Sequence, residues 1–171
     1  MKRRLLLGVL VSLGVAVLPA CGGGGGGGGF GPDESVPPPP MTAQELEYSL
    51  RVFDLVNEAR VANDLDPLAW DEGCAQAAYA HAYDMAARNY FDHDDPQGHG
   101  LGFRLDREGV DYDFAGENIA QGQATPEDVM DSWMGSSGHR ANILEPAFTR
   151  IGVGVHISFG GPWWVQDFVG P

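Results

Sequence analysis

Residues 150–159, RIGVGVHISF, decide how this chain folds. Ile151, Val153, Val155, Ile157 and Phe159 fall on one side of an extended backbone, and Arg150, Gly152, Gly154, His156 and Ser158 on the other. An unbroken period of two, rich in β-branched residues, specifies a strand. The two glycines on the second side leave room for a helix or loop to press close against the sheet. Gly160, Gly161 and Pro162 then form a turn, and WWVQDFV, residues 163–169, returns as the partner strand.

Upstream of this hairpin the pattern is helical. Thr42 and Glu45 form a capping box in TAQE, and Leu46, Leu50, Phe53, Asn57 and Arg60 recur at helical spacing to about Asn63. Asp66 and Pro67 make a turn, and Asp71 caps a second helix running to about Asn89. Its apolar stripe is Cys74, Ala77, Ala78, His81, Ala82 and Met85. YFDHDDPQGHG, residues 90–100, reads as a loop, and LGFRLDREG, residues 101–109, as a short helix stopped by Gly109. DYDFAGENIAQG, residues 111–122, has no helical period and reads as a loop around a short extended segment. Thr125 caps a fourth helix with Pro126 in its first turn, turning Val129, Trp133 and Met134 inward. Ser136 or Ser137 caps a brief helix over residues 137–144, which Pro146 ends. Helices followed by a terminal hairpin make an α+β fold, with helices flanking a small antiparallel sheet.

The N-terminal region is organised differently. Lys2, Arg3 and Arg4 precede an apolar run over residues 5–19, too short to cross about 30 Å of hydrocarbon and suited to a secretory signal. The run closes on LPAC, which resembles the lipobox of bacterial lipoproteins, where the cysteine is acylated. Eight consecutive glycines at 22–29 and four prolines at 37–40 then form a coil-and-rod tether. The expected organisation is a lipoprotein signal peptide over 1–20, a lipidated Cys21 opening a tether over 21–41, and a folded domain over 42–171. A lipid anchor at Cys21 makes the bacterial membrane a partner, and Gly22 after it favours the outer membrane or cell surface.

Cleavage would remove the one lysine, leaving seven arginines against 24 acidic residues, a formal −17. Such a surface excludes nucleic-acid binding and attracts cations and cationic peptides. With Cys21 acylated, Cys74 alone remains, so the domain has no internal disulfide. In an alanine-rich helix it reads as a small core residue.

Three residues stand out as candidates for chemistry. They are His93 among Asp92, Asp94 and Asp95; Glu117 between Gly116 and an apolar step; and His139 in SSGHRANIL. Two imidazoles and a carboxylate can bind a divalent metal or form an acid–base set. Each also has a structural reading: an Asx turn, a loop tied down by Glu117, and a helix start that locks a loop. The first-turn position of His139, beside Arg140, disfavours its protonated form. His81 reads as a satisfied core histidine; His99 and His156 carry no assigned role. HExxH, CxxC, GxSxG and P-loop patterns do not occur.

Seven segments occur in order: VNEAR, PLAWD, AHAYDMAARNYFDH, AGENIA, SWMGSSGHRANIL, FTRIGVGV and WWVQDF. Together they resemble bacterial members of the CAP (SCP-like) family, the cysteine-rich secretory, antigen 5 and pathogenesis-related proteins. The resemblance covers residues 42–168 and implies an α-β-α sandwich. From its eukaryotic members it also implies a cleft of two histidines and two acidic residues where zinc or another divalent cation can bind. By position, His93 matches the first histidine and Glu117 the glutamate of the GEN motif. The second acidic position falls on Ser136, and the second histidine position on Ala147. His139, in the GHR motif of bacterial members, is the substitute. Together with the Cys21 anchor, the resemblance implies an envelope-tethered domain that binds a lipid, peptide or protein ligand in a His/Glu cleft. A metal-assisted hydrolase with Glu117 as general base, and a non-catalytic structural or adhesion module, are the alternatives.

Overall fold

A computed structural model describes residues 37–171; the signal segment, Cys21 and most of the tether lie outside the described residues. Helix α1 (Ala43–Val61) opens on the expected capping box: Thr42 Oγ1 accepts from the Glu45 N–H, and Glu45 accepts from the Thr42 N–H. After the two-residue strand β1 (Ala69–Trp70), Asp71 caps helix α2 (Glu72–Arg88) by accepting from the Cys74 N–H at 2.9 Å. Helix α3 (Leu101–Arg107), strand β2 (Phe114–Gln121), helices α4 (Pro126–Gly135) and α5 (Ser137–Ile143), and the hairpin β3 (Arg150–Ser158) and β4 (Gly161–Gly170) complete the domain.

The strand order is β1-β3-β4-β2. The terminal hairpin therefore forms the centre of the sheet. β4 pairs antiparallel with β3 and β2, while the short β1 pairs parallel with β3. One sheet face carries Ile151, Val153, Val155, Trp164 and Phe168, packed against Val52 and Val56 of α1, Val129 and Trp133 of α4, and Ile143 of α5. The other face lies under α2 and α3, where Val165 meets Ala78, Ala82 and Met85, and Val169 meets Cys74 and Leu105. This is the α-β-α sandwich the resemblance implies.

Gly152 and Gly154 explain how close α2 lies. A Cβ on Gly152 would sit 2.0 Å from the Ala75 nitrogen, and one on Gly154 would sit 2.1 Å from the Tyr79 nitrogen. Backbone meets backbone across this interface, and a side chain at either glycine position would part them.

Three sequence expectations need correction. The buried face of α1 is Glu45, Ser49, Val52, Val56 and Arg60, so Leu46 and Leu50 are exposed. Polar contacts choose this face. Glu45 accepts from the Ile157 N–H at 2.8 Å and pairs with His156 Nδ1 at 3.1 Å. Fully buried Arg60 donates to the carbonyls of Asp66, Ile143, Glu145 and Phe148. Second, the extended segment within DYDFAGENIAQG is an eight-residue edge strand, longer than the short piece expected. Its inward positions alternate between two covered faces, Glu117 and Ile119 to one and Asn118 and Ala120 to the other, so no polar–apolar period survives. Third, α5 starts at Ser136 without a side-chain cap; the Ser136 carbonyl accepts from the Arg140 N–H at 2.9 Å.

Candidate functional site

The three candidate residues come from separate elements, His93 from the loop after α2, Glu117 from β2 and His139 from the first turn of α5. Glu117 links to His93 directly. His93 Nδ1 donates to Glu117 Oε1 at 2.7 Å, and Arg104 Nη2 of α3 donates to Glu117 Oε2 at 2.6 Å. His93 and His139 both line one cleft of about 610 Å³, with Phe91, Ile119, Trp133 and Ser136 among the other walls. Its buried walls, Ile119, Ala120 and Trp133, are apolar, and most of its exposed ones are polar, a usual composition for a ligand cleft.

Each group is held by a specific contact. The His93 loop is tied at two carbonyls: His81 Nε2 donates to the Asp92 oxygen at 2.9 Å, and Arg104 Nη1 to the His93 oxygen at 3.0 Å. Glu117 is fixed at its backbone, where Asn142 Nδ2 donates to its carbonyl at 3.1 Å. The same amide donates to Asn118 Oδ1, and Asn118 Nδ2 donates to the carbonyl of His139 and to Gln166. A buried amide network thus sets α5, and with it His139, against β2 and β4.

The protonation pattern follows from these surroundings. The Glu117 hydrogen bond raises the pKa of His93, against a smaller burial effect. Burial pushes Glu117 upward, but the His93 hydrogen bond and the Arg104 charge together hold it below the usual carboxylate range. His139 is lowered by burial and then by His93. That is the direction its first-turn position suggests, with different causes: burial and the opposing imidazole, rather than Arg140. Burial lowers His81 to about 4, so it is a neutral imidazole whose Nε2–H serves Asp92. Outside the cleft, His156 pairs with Glu45 and His99 with Asp95.

Sequence reasoning missed two participants. Arg104 closes the site against Glu117, and nothing in LGFRLDREG distinguishes it from the neighbouring arginine. Asp167, on β4, is fully buried and is the register partner of Glu117. Its signal was present, since an acid interrupts the apolar side of WWVQDFV. Ser136, where the resemblance expects a carboxylate, does line the cleft.

The donor set limits what a metal would find. Among the described residues, no group of three or more His, Cys, Asp or Glu side chains is placed to hold a metal ion. His93 and His139 remain as a pair. Glu117 is disposed as the carboxylate that orients a ligating imidazole through its other nitrogen.

Comparisons with known proteins agree with this fold. The cysteine-rich secretory protein family, CAP, matches residues 53–168. The uncharacterized protein YkwD of Bacillus subtilis is 47% identical over 124 residues, which cover 72% of this chain and 47% of that protein. The crystal structure of an extracellular SCP-domain protein from Bacillus anthracis matches with a TM-score of 0.71 at 37% identity, covering 78% of this chain and 45% of the other. An outer surface protein of Borrelia burgdorferi shares the fold, with a TM-score of 0.68 at 17% identity over 76% of this chain and 95% of the other. The chain therefore spans less than half the length of the two Bacillus proteins.

Proposed function

We propose a binding function on one premise: this chain belongs to the cysteine-rich secretory protein (CAP) family. Its domain takes a ligand or partner in the cleft that His93 and His139 line from opposite elements. The observation that carries this reading is the cleft of about 610 Å³, with apolar buried walls and two imidazoles of opposite pKa tendency in its lining. One imidazole favours donating and the other accepting, so a ligand bearing both a hydrogen-bond acceptor and a donor is served.

The same proposal puts the domain outside the cytoplasm, tethered through Cys21. The LPAC segment, the glycine–proline tether and the extracellular Bacillus anthracis relative support it. No helix among the described residues is long and apolar enough to cross a membrane. Loss of the protein from the membrane fraction on Cys21→Ser is the expected outcome, and unchanged fractionation would count against the anchor.

A divalent ion such as zinc would be held by His93 and His139 and would supply Lewis acidity to whatever it binds. Glu117 orients His93 in that arrangement. Hydrolysis with Glu117 as general base is the poorer reading, because both its oxygens already accept charged or polar donors and its pKa is held down.

Histidine footprinting tests the binding reading. Acylation of His93 and His139 by diethyl pyrocarbonate should be slower on intact cells than on the purified protein, with His99, outside the cleft, as the internal reference. Equal labelling in both settings refutes an occupied cleft. Zinc titration followed by imidazole NMR separates the metal question, since both rings should shift together or the metal reading falls.

A further inference from the structure

Asp167 is the least expected group in the domain. It sits within β4, fully buried, and neither carboxyl oxygen meets a hydrogen-bond donor. The β2–β4 register sets it opposite Glu117, on the face of the sheet that α2 and α3 cover. The ionisable groups facing it are Cys74 from α2, Arg104 from α3 and Glu117 from β2; β3 presents Gly152, which has no side chain. Burial, followed by the Glu117 charge, raises Asp167 well above the usual aspartate value, and Arg104 opposes this without prevailing. A buried carboxyl in this position takes up a proton rather than remain a bare anion. Its O–H then needs an acceptor. Glu117 is the one at hand: its oxygens accept from His93 and Arg104 and retain unused lone pairs.

We propose that Asp167 is a positioning residue of the cleft, an un-ionised acid that donates its O–H to Glu117 and fixes that carboxylate where it holds His93. A buried acid kept neutral in order to donate is an established use of an apolar site. The proposal rests on the cleft reading for its purpose alone. Its test involves no ligand, so either can fail while the other stands.

Infrared spectroscopy of the full protein at pH 6, about two units above where an exposed aspartate titrates, reads the proton directly. The wild type should show the carbonyl band of one protonated carboxylic acid, shifted by carboxyl-¹³C labelling of aspartate and absent from Asp167→Asn. Linkage supplies a second readout. A group whose pKa is raised on folding holds its proton more tightly in the folded state, so its contribution to stability falls as pH rises above the unfolded value. The melting temperature of Asp167→Asn, which has no proton to lose, should therefore gain on the wild type from pH 5 to pH 8. His93 should titrate unchanged in Asp167→Asn, whose amide still donates, and differently in Asp167→Val, which has no donor. A wild type without the band, or a His93 titration indifferent to Asp167→Val, overturns the proposal. The infrared reading on the wild type decides the matter alone should a variant fail to fold.

Discussion

Gly152→Ala tests the central packing claim. The added Cβ would lie 2.0 Å from the Ala75 nitrogen, 2.2 Å from the Cys74 carbonyl carbon and 2.6 Å from the Ala75 Cα. All three are backbone atoms of α2, so no side chain can swing aside. Non-bonded heavy atoms settle at about 3.5 Å, and α2 must retreat from β3 by about 1 Å or more. A gap of that size forfeits about a quarter to a half of the dispersion attraction along the interface. The helix seats Cys74, Ala75, Ala78, Ala82 and Met85 there, all fully buried. Overpacking usually costs about 1–3 kcal/mol, and a backbone collision belongs at the upper end. The entropy that alanine removes from the unfolded chain offsets about 0.4–1 kcal/mol, leaving a loss of about 2–2.6 kcal/mol. For a domain of this size that lowers the melting temperature by roughly 6–10 °C, measured by calorimetry at one scan rate. Gly138→Ala in α5 is the control, since its Cβ meets nothing within 4 Å and the change should be neutral or slightly stabilising. A Gly152→Ala protein melting within about 2 °C of wild type would refute the close approach of α2.

Other consequences follow from the polar groups. Arg60→Ala strands the carbonyls of Asp66, Ile143, Glu145 and Phe148, and should cost about 3 kcal/mol or more in urea unfolding at unchanged m. Arg60→Lys should recover only part of this, because an ammonium cannot reproduce the planar fork. The raised pKa of His93 stabilises the fold fully below its unfolded value of about 6.5, and that contribution is lost as pH rises through the folded value. The melting-temperature gap between wild type and His93→Ala should therefore narrow from pH 6 to pH 9. His139, lowered by burial and by His93, should titrate below about 6.5 by NMR; titration above about 7 would contradict the cleft geometry.

The elements that could be read locally were those with a repeating contrast. β3 alternates over nine residues, α2 carries its alanine stripe on one face, and the caps at Thr42, Asp71 and Thr125 are all formed. The face of α1 was misread because hydrophobicity marks Leu46 and Leu50, whereas burial follows Glu45 and Arg60, whose long-range partners lie 83 to 112 residues away in the chain. The length of β2 was underestimated because the strand is covered on both faces. In the site, His93, Glu117 and His139 were legible as residue types, but Arg104 and Asp167 were not assigned to it. An arginine on a short helix and an acid in a strand gain meaning only from what they face.

The sequence alone determined the layers. The period of β3, its two glycines and the helix caps are local properties, and they already require helices pressed on a sheet. The tertiary structure decided the chemistry. Whether an imidazole or carboxyl carries a proton depends on burial and on charges brought within a few ångströms by separate elements, and pattern along the chain does not encode those distances. RIGVGVHISF shows both sides of this division: its alternation announces a strand, and only the folded molecule reveals that Gly152 lies opposite the buried carboxyl of Asp167.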